Sequence, residues 1–306
     1  MNLLDFIQTF PDEASCKLRF KQIREQEGVV CRKCESKEHY WLTTIEHYKC
    51  KKCGTKTSLK SGTVLENTKL PIRYWFVAMH LITSTKKPFS ALEMQRQLGH
   101  KYYEPIWAMM HKLRIIMGKR DNSYFLTNNI ELDEGFFEVA VDKSEEPLKR
   151  GRGSQRQAKV LVMTSQEPVK KKKQKPNKKT SKLRFIKMKV LDSLNSDNIE
   201  TQVEEHIHKK STVITDGFRS YSNLKNYVKK HLSNVVPPEE ASKILPWVHT
   251  MIANAKRNLL GIHHMMTLEY IQNYLDEFCY KVNRRYFGEK IFDRLLIASV
   301  TIKWNG

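Results

Sequence analysis

Two kinds of metal-ligating side chain stand out in the sequence: four cysteines near its start and two aspartates further along. The cysteines form two Cys-x-x-Cys pairs, Cys31/Cys34 and Cys50/Cys53, with fifteen residues between the pairs. This is the spacing of a zinc ribbon, in which two short hairpins supply four thiolates to a tetrahedral Zn²⁺ ion. Because all four positions are cysteine and none is open to substrate, the sequence predicts a structural zinc site.

The two aspartates lie in predicted β-strands. Asp133 interrupts the apolar strand predicted over 130–141, and Asp216 ends the short apolar strand predicted over 212–215. A carboxylate in an apolar strand is costly unless something compensates it, and a divalent cation is one such partner. Carboxylates on neighbouring strands would hold Mg²⁺ or Mn²⁺, and such a metal pair stabilises both the attacking and the leaving oxygen of a phosphodiester. Taken alone, Asp216-Gly217 is also an ordinary turn signal.

A predicted helix over 246–260 offers further polar groups. Asn254, Arg257 and Asn258 recur on one face of it at helical spacing. Asn254 would offer one neutral oxygen to a cation, and the alternative interpretation is a solvated helix surface. Three histidines lie nearby: His249, His263 and His264. We expect them to pack in the core or contact DNA rather than take part in catalysis.

Composition favours a polyanionic partner. The 306 residues include 54 Lys and Arg against 33 Asp and Glu, a net charge of +21, which indicates nucleic acid more readily than a merely basic soluble protein. Eight lysines fall between residues 170 and 182 in a predicted loop, 166–182, which would hold phosphates or simply be solvated. The sequence has no apolar run of membrane-spanning length and no signal-peptide pattern, so we expect no membrane segment and a cytoplasmic, nucleoid-associated protein.

The order of predicted elements divides the chain into three parts. Residues 1–65 hold N-terminal helices and the ribbon, and residues 66–124 hold two short helices joined by a turn that contains glycine. That pair has the outline of a helix-turn-helix, although an ordinary helical hairpin has the same pattern. Residues 125–306 read as three strands, a helix, a fourth strand and final helices, which is a mixed α/β order.

Taken together, these motifs resemble those of the zinc-ribbon transposases of bacterial insertion sequences, the branch whose acidic triad often ends in Asn. The resemblance follows the family's order and covers nearly the whole chain. The segments that carry it are CRKC…CKKC at 31–53, FSALEMQRQLGHKYYEPIWAMMHKLR at 89–114, LDEGFFE at 132–138, KRGRGSQRQAKVLVM at 149–163, ITDGFRSYSNL at 214–224 and WVHTMIANAKRNLLGIHHM at 247–265.

The resemblance implies an RNase H-like mixed sheet as the catalytic domain, preceded by the zinc ribbon and the helix-turn-helix. It implies that Asp133, Asp216 and Asn254 are catalytic, with Mg²⁺ or Mn²⁺ on the two aspartates and structural Zn²⁺ on the cysteines. The chain would cut the ends of a mobile element at its terminal inverted repeats and join the freed 3′-hydroxyl to target DNA. We expect double-stranded DNA as the partner and a homo-oligomer on it. The expected DNA contacts are Arg96, Lys101, Lys112, Arg114, Arg150, Arg152, Lys159, Lys256 and Arg257, and the acidic alternatives to Asn254 are Glu239, Glu240 and Glu269.

Two other functions remain open at this point. The first is a zinc-ribbon DNA-binding regulator with an inactive nuclease-like domain, in which Asp133 and Asp216 need not converge. The second is a ribbon-bearing transcription or RNA-processing factor, which requires no carboxylate pair at all.

Overall fold

The protein is described by a computed structural model that covers residues 1–141, 154–168, 181–235, 244–263 and 266–304. The chain forms two compact units, one of Met1–Arg120 with Phe287–Gly306 and one of Asp121–Tyr286. Within the described ranges, no helix is both long and apolar enough to cross a membrane. Several sequence predictions fall outside these ranges, namely most of the lysine-rich loop (169–180), Arg150, Arg152, Glu239, Glu240 and His264.

The first unit contains a small antiparallel sheet between helices. The helices are α1 (Leu3–Thr9), α2 (Glu13–Glu27), α3 (Ile72–Ser84), α4 (Ala91–Leu98) and α5 (Glu104–Asn122), and the strands, paired in the order β1-β2-β3, are β1 (His39–Leu42), β2 (His47–Cys50) and β3 (Lys56–Ser58). The C-terminal helix, Ile291–Thr301, also belongs to this unit, whereas the sequence analysis grouped it with residues 125–306. The division into three functional domains stays a prediction.

The predicted helix pair starts and turns where expected, although its second helix runs to Asn122 and not to the predicted Met117. The Ser90 hydroxyl accepts a hydrogen bond from Glu93 N at 3.0 Å and so caps the start of α4. Gly99 ends the helix with φ 61°, a left-handed conformation that glycine adopts without steric cost. Helix α5 then begins at Glu104 after a short turn. The local sequence therefore determines this helix-turn-helix outline.

The second unit is built around a five-stranded mixed sheet in the order β6-β5-β4-β7-β8. Strands β4, β5 and β6 are antiparallel neighbours, whereas β7 runs parallel to both β4 and β8. This arrangement confirms the predicted RNase H-like mixed sheet. The elements are β4 (Asn129–Glu138), β5 (Gln157–Pro168), β6 (Ser181–Leu191), α6 (Ser196–His206), β7 (Thr212–Asp216), a 3₁₀ helix (Arg219–Asn226), β8 (Lys230–Asn234), α7 (Pro246–Leu260) and α8 (Ile271–Arg284).

The two faces of this sheet carry separate apolar cores. Side chains alternate between the faces of a strand, so Ile130 and Leu132 of β4 pack with α6 and the 3₁₀ helix. Phe137 of the same strand and Val139 just after it pack on the opposite face with α7 and α8. Odd-numbered residues of β4, Asp133 among them, therefore share the face that α7 covers.

Strand β8 was not predicted from the sequence. Its five residues, KHLSN, are mostly polar and exposed, because β8 lies at the edge of the sheet and pairs only with β7. An edge strand with little buried surface lacks the apolar alternation on which strand prediction depends.

The opposite edge, β6, is covered by side chains of α8. Asn283 accepts a hydrogen bond from Ile186 N at 2.7 Å and donates one to Ile186 O at 2.9 Å. Gln272 makes equivalent contacts with Val190 N at 2.8 Å and Met188 O at 3.0 Å. These two amides replace a neighbouring strand and satisfy backbone groups that an open edge would leave free to pair with another chain.

Candidate active site

The four cysteines converge in the first unit. Their sulfur atoms all lie within 4.8 Å of one another, which makes them a group that could hold one metal ion. Each knuckle closes on itself, because Glu35 N donates to Cys31 O at 2.9 Å and Gly54 N donates to Cys50 O at 3.0 Å. The cluster fits the thiolate coordination of structural zinc and confirms the predicted zinc ribbon.

Hydrogen bonds inside the second knuckle favour the thiolate form. Cys53 Sγ lies 3.1 Å from Thr55 Oγ1. The side-chain and backbone hydrogen bonds of Thr55 lower the pKa of the Cys53 thiol to about 6. A thiol must lose its proton to bind zinc, so this contact prepares Cys53 as a ligand.

In the second unit, the strand register brings Asp133 and Asp216 together. The parallel pairing of β4 and β7 matches Glu131 with Ile214, and two further residues along each strand lead to Asp133 and Asp216. Strands in a sheet lie about 4.8 Å apart, and residues at one register position point to the same face. The two carboxylates therefore occupy one face of the sheet, at the end of β7.

The pKa of the Asp133 carboxyl is raised by burial, and the negative charge of Asp216 contributes to the shift. Burial is the main cause that raises the pKa of the Asp133 carboxyl to about 7, and the negative charges of Glu134 and Asp216 act in the same direction. A raised pKa means that the ionised form of Asp133 is unfavourable without a positive partner. A cation bound beside Asp133 would therefore stabilise its ionised form.

Helix α7 is anchored over the same face by a third acid, Glu131. Its Oε2 accepts hydrogen bonds from Trp247 N and Val248 N, both at 2.8 Å. These N–H groups belong to the first turn of α7, where a carboxylate is favoured by unpaired donors and by the helix dipole. Since Glu131 precedes Asp133 by two residues on the same face of β4, this contact sets the position of α7 relative to the aspartate.

Gly135 lies on β4 beneath α7. A Cβ at this position would lie 3.0 Å from Phe137 Cε2, which is tighter than normal packing, and 3.4 Å from Ile252 Cγ1 of α7. The glycine therefore leaves room chiefly for the Phe137 ring on the face that α7 covers.

Helix α7 presents His249 to Asp133. His249 Nε2 lies 3.7 Å from Asp133 Oδ2, is buried, and has no hydrogen-bond partner among the residues that the structure describes. Asn254 follows five residues later and so projects roughly 140° around the helix axis from His249. Its amide oxygen accepts a hydrogen bond from Arg257 Nη2 at 2.8 Å. The predicted part of Asn254 stays untested, but the histidine is the α7 side chain in contact with Asp133.

The aspartates and His249 are less tightly grouped than the cysteines. In the described ranges, the four cysteines are the one group of three or more His, Cys, Asp or Glu side chains close enough to hold a metal ion. Asp133, Asp216 and His249 therefore lie in one region, but their ligand atoms are not as close together as those of the cysteines. Glu269, an acidic alternative, lies at the C-terminal side of α7, near the start of α8.

The expected DNA contacts differ in their accessibility. Arg96 is exposed and pairs with Glu93 at 2.6 Å, and Lys101 is exposed in the turn between α4 and α5. Arg114 is only 1% exposed and donates to Phe89 O at 3.0 Å. The prediction that Arg114 contacts DNA is therefore corrected, because this side chain belongs to the core under the helix pair.

Three further lysines are partly engaged within the protein. Lys112 Nζ donates to Glu66 O at 2.9 Å and lies 4.8 Å from the Trp304 ring. Lys159 Nζ donates to Asp192 O at 3.0 Å, and Lys256 Nζ lies 5.7 Å from the Phe137 ring. Arg257 is exposed and donates to Asn254 Oδ1 and Ala253 O. DNA contact by these side chains remains a prediction, with Lys112 the least available of them.

The sequence did not predict the contacts of three residues of this region: Glu131, Tyr221 and His249, the last of which was expected to pack or to contact DNA. Tyr221 O–H donates to Glu134 Oε2 at 2.6 Å. A weak signal existed for His249, because it precedes Lys256 by seven residues and so shares its helix face. No signal in the sequence pairs Glu131 with Trp247 or Tyr221 with Glu134, since those contacts join residues 116 and 87 positions apart.

Known proteins resemble the chain over both regions. Residues 125–283 match the family model of the ISXO2-like transposase domain, and residues 11–56 match that of the transposase zinc-ribbon domain. An uncharacterized protein in the transposable element ISH50 of Halobacterium salinarum is 25% identical over 229 residues, which are 71% of this chain and 72% of the relative.

Solved structures of a Mos1 transposase are distantly similar. The Mos1 mariner paired end complex with Mn is 13% identical, with a TM-score of 0.31, over 77% of this chain and 81% of that chain. A pre-cleavage Mos1 transpososome is 11% identical, with a TM-score of 0.28, over 78% and 82%. The assignment rests instead on the ISXO2-like model, which spans more than half of the sequence. This protein therefore belongs to the IS1595 family of transposases, with an N-terminal zinc ribbon and a DDE transposase domain.

Proposed function

We propose that this transposase binds the ends of a mobile DNA element and catalyses metal-dependent strand cleavage and strand transfer. The observation that carries the proposal is the parallel pairing of β4 with β7, which ends at Glu131 and Ile214, two residues before Asp133 and Asp216, together with the contribution of the Asp216 charge to the raised pKa of Asp133. Two carboxylates in this arrangement supply the hard oxygen ligands that Mg²⁺ and Mn²⁺ prefer. A regulator with an inactive nuclease-like domain has no need of such a pair.

The two aspartates bind the catalytic cations. Cations at this position would activate the attacking oxygen and stabilise the leaving oxygen of a phosphodiester. The nucleophile is water for cleavage and a DNA 3′-hydroxyl for joining, so no covalent enzyme intermediate is involved. Asp133 and Asp216 thus act as ligands that orient the reacting phosphate rather than as nucleophiles.

His249 takes the third position of the site, with Asn254 as the alternative. The support for His249 is its 3.7 Å contact with Asp133 and its unpaired, buried Nε2. Lys256 follows seven residues later on the same face of α7, about 10 Å along the axis. That distance suits a cation which holds a neighbouring phosphate while the scissile one lies at the aspartates.

DNA binding falls to the zinc ribbon and the helix-turn-helix. Structural Zn²⁺ holds the ribbon in its DNA-binding form, and the exposed Arg96 and Lys101 contact phosphates of the terminal inverted repeats. Strand transfer joins two ends to one target, so the active form is a homo-oligomer on double-stranded DNA. Such a protein works at the nucleoid.

The decisive experiment maps strand breaks at single-nucleotide resolution on DNA that carries candidate element ends, with Mg²⁺ present. Asp133→Ala and Asp216→Ala should each lower cleavage by a factor on the order of 10³ or more while DNA binding persists. Asp197→Ala, which removes an exposed carboxylate at the start of α6, is the matched control and should cleave normally. Undiminished cleavage by either site variant contradicts the proposal, and specific end binding by a wild-type protein that never cleaves favours the regulator.

A second pair of variants assigns the third position. His249→Ala should lower the cleavage rate on the order of 10²-fold, with a much smaller loss for Asn254→Ala. The reverse order would return the third position to Asn254.

A further inference from the structure

One carboxylate beside the site has no part in the proposed ligand set. Side chains alternate along a strand, so Glu134, which follows Asp133 on β4, starts on the face that carries the core with Ile130, Leu132 and the 3₁₀ helix after β7. Its carboxyl group nevertheless reaches the Asp133 carboxyl group in a side-chain hydrogen bond. Glu134 therefore lies beside Asp133, at the edge of the aspartate pair.

A buried tyrosine holds this carboxylate in place. Tyr221 lies five residues after Asp216, in the 3₁₀ helix, and is 1% exposed. Its hydroxyl donates to Glu134 Oε2 at 2.6 Å. A buried phenol needs a hydrogen-bond partner, so the chain segment that follows one catalytic aspartate is tied to the residue that follows the other.

The charge of the proposed site explains why such an arrangement would matter. Two divalent cations face only two negative ligands, Asp133 and Asp216, because both candidates for the third position, His249 and Asn254, can bind a cation as neutral groups. The affinity of a site for hard cations rises with its negative charge. Glu134 is the next carboxylate along the strand, and its charge already acts on Asp133.

We infer that Glu134 is a positioning residue for the catalytic cations: fixed beside Asp133 by Tyr221, it supplies the third negative charge that the neutral third ligand does not. This inference rests on the proposed function of Asp133 and Asp216 as cation ligands. Glu134 acts through its own charge and through its contact with the Asp133 carboxyl group. Tyr221 acts one step further away, by holding the carboxylate.

Binding of Mn²⁺ to the full-length, zinc-loaded protein tests the inference, with free Mn²⁺ measured by electron paramagnetic resonance. Glu134→Gln removes the charge but keeps an oxygen that accepts from Tyr221. It should weaken Mn²⁺ binding on the order of tenfold, the effect of one charge a few ångströms from the cation. Tyr221→Phe keeps the charge and should weaken binding by no more than about threefold.

Glu138→Gln is the matched control, because Glu138 lies on the same strand and the same face but is exposed at its end. It should bind Mn²⁺ as the wild type does. Circular dichroism melts verify that each variant is folded. If Glu134→Gln does not fold, Glu134→Asp carries the test, since it keeps the charge and must keep the affinity.

Two outcomes overturn the inference. The first is unchanged Mn²⁺ affinity in Glu134→Gln, or a loss of affinity in a folded Glu134→Asp. The second is a larger loss in Tyr221→Phe than in Glu134→Gln, which would mean that the pair only holds the backbone. Asp133→Ala and Asp216→Ala are measured in parallel: if they bind Mn²⁺ normally, it is the proposed function that fails, whatever Glu134 does.

Discussion

The zinc cluster and the aspartate pair have opposite relations to the fold. The four cysteines lie within one short stretch of chain, and the knuckles close through their own backbone hydrogen bonds. Asp133 and Asp216 come from strands far apart in sequence and meet only in the assembled sheet. Burial raises the pKa of Asp133, so its charge opposes folding until a cation arrives, whereas zinc binding at the cysteines is itself folding energy. A structural metal site stabilises its domain, and a catalytic one is a local cost that the rest of the sheet must offset.

The largest effect predicted from this contrast is the loss of one zinc ligand. Cys50→Ser should abolish zinc binding, which contributes on the order of 10 kcal/mol in structural sites, and strands β1 to β3 should lose hydrogen-exchange protection. Strands β4 to β8 should keep theirs. Exchange measured by mass spectrometry, together with zinc content, checks both statements.

Cys16→Ser is the matched control for that experiment. Cys16 is a fully buried thiol of the same unit but lies outside the cluster. It should retain its zinc. If strands β1 to β3 of Cys50→Ser keep their hydrogen-exchange protection, zinc is not needed to fold the ribbon, and the contrast with the aspartate pair fails.

Replacement of Asp133 should have the opposite effect on stability. Asp133→Asn should stabilise the second unit at pH 8, without added Mg²⁺, by on the order of 3 kcal/mol. The pKa of this carboxyl rises from 3.8 to about 7 on folding, so its neutral form is favoured in the folded state. The stability that the neutral Asp133 carboxyl contributes is fully present below pH 3.8 and is lost as the pH rises through 7.

Urea unfolding at several pH values measures this difference. The gain from Asp133→Asn should nearly vanish at pH 4, and Glu138→Gln should show no such dependence. A variant that is less stable than the wild type at pH 8 would mean that the aspartate does not oppose folding.

Glu131 sharpens the comparison, because it is a buried carboxylate of the same strand that supports the fold. Glu131→Gln should lower the stability of the second unit by about 2 kcal/mol, since the N–H groups of Trp247 and Val248 lose a charged acceptor. Urea unfolding at pH 7 checks this value. If Asp133→Asn raises the stability of the second unit and Glu131→Gln lowers it, the hydrogen-bond partners of a buried carboxylate, and not its burial alone, decide whether it stabilises the fold.

The smallest predicted effect separates DNA binding from chemistry. Lys101→Ala should weaken binding to DNA ends a few-fold and reduce the slope of log affinity against log salt by about one. Cleavage at saturating DNA should be unchanged, because Lys101 belongs to the first unit. A slower reaction at saturating DNA would contradict this division of labour.

Local features of the fold could be predicted closely from the sequence. The boundaries of α7 match the prediction, since Pro246 can start a helix but not continue one from the preceding turn. Gly54 follows Cys53 with a positive φ, 71°, a conformation that glycine adopts without steric cost. The cysteine spacing alone indicated the zinc ribbon. Each of these features depends on residues within a few positions of one another.

Other features could not be predicted because they depend on distant partners. Arg114 carries the charge of a DNA contact, yet its burial against Phe89 O is decided by the packing of the helix pair. Strand β8 pairs through backbone groups that any residue has. Asn254 and His249 are both polar positions of one helix, and only the rotation of α7, set by Glu131, turns His249 towards Asp133.

The sequence by itself determined the ligand types, the four-cysteine cluster and the strands that carry the two aspartates. Only the tertiary structure decided that the pairing of β4 with β7 carries Asp133 and Asp216 to one face of the sheet, that His249 lies beside Asp133, and that Tyr221 holds Glu134. The physical reason is that residue spacing encodes local geometry, because the backbone has few allowed conformations per residue. Strand register and helix rotation are set by burial and hydrogen bonds among residues far apart in the chain, and these have no local signature.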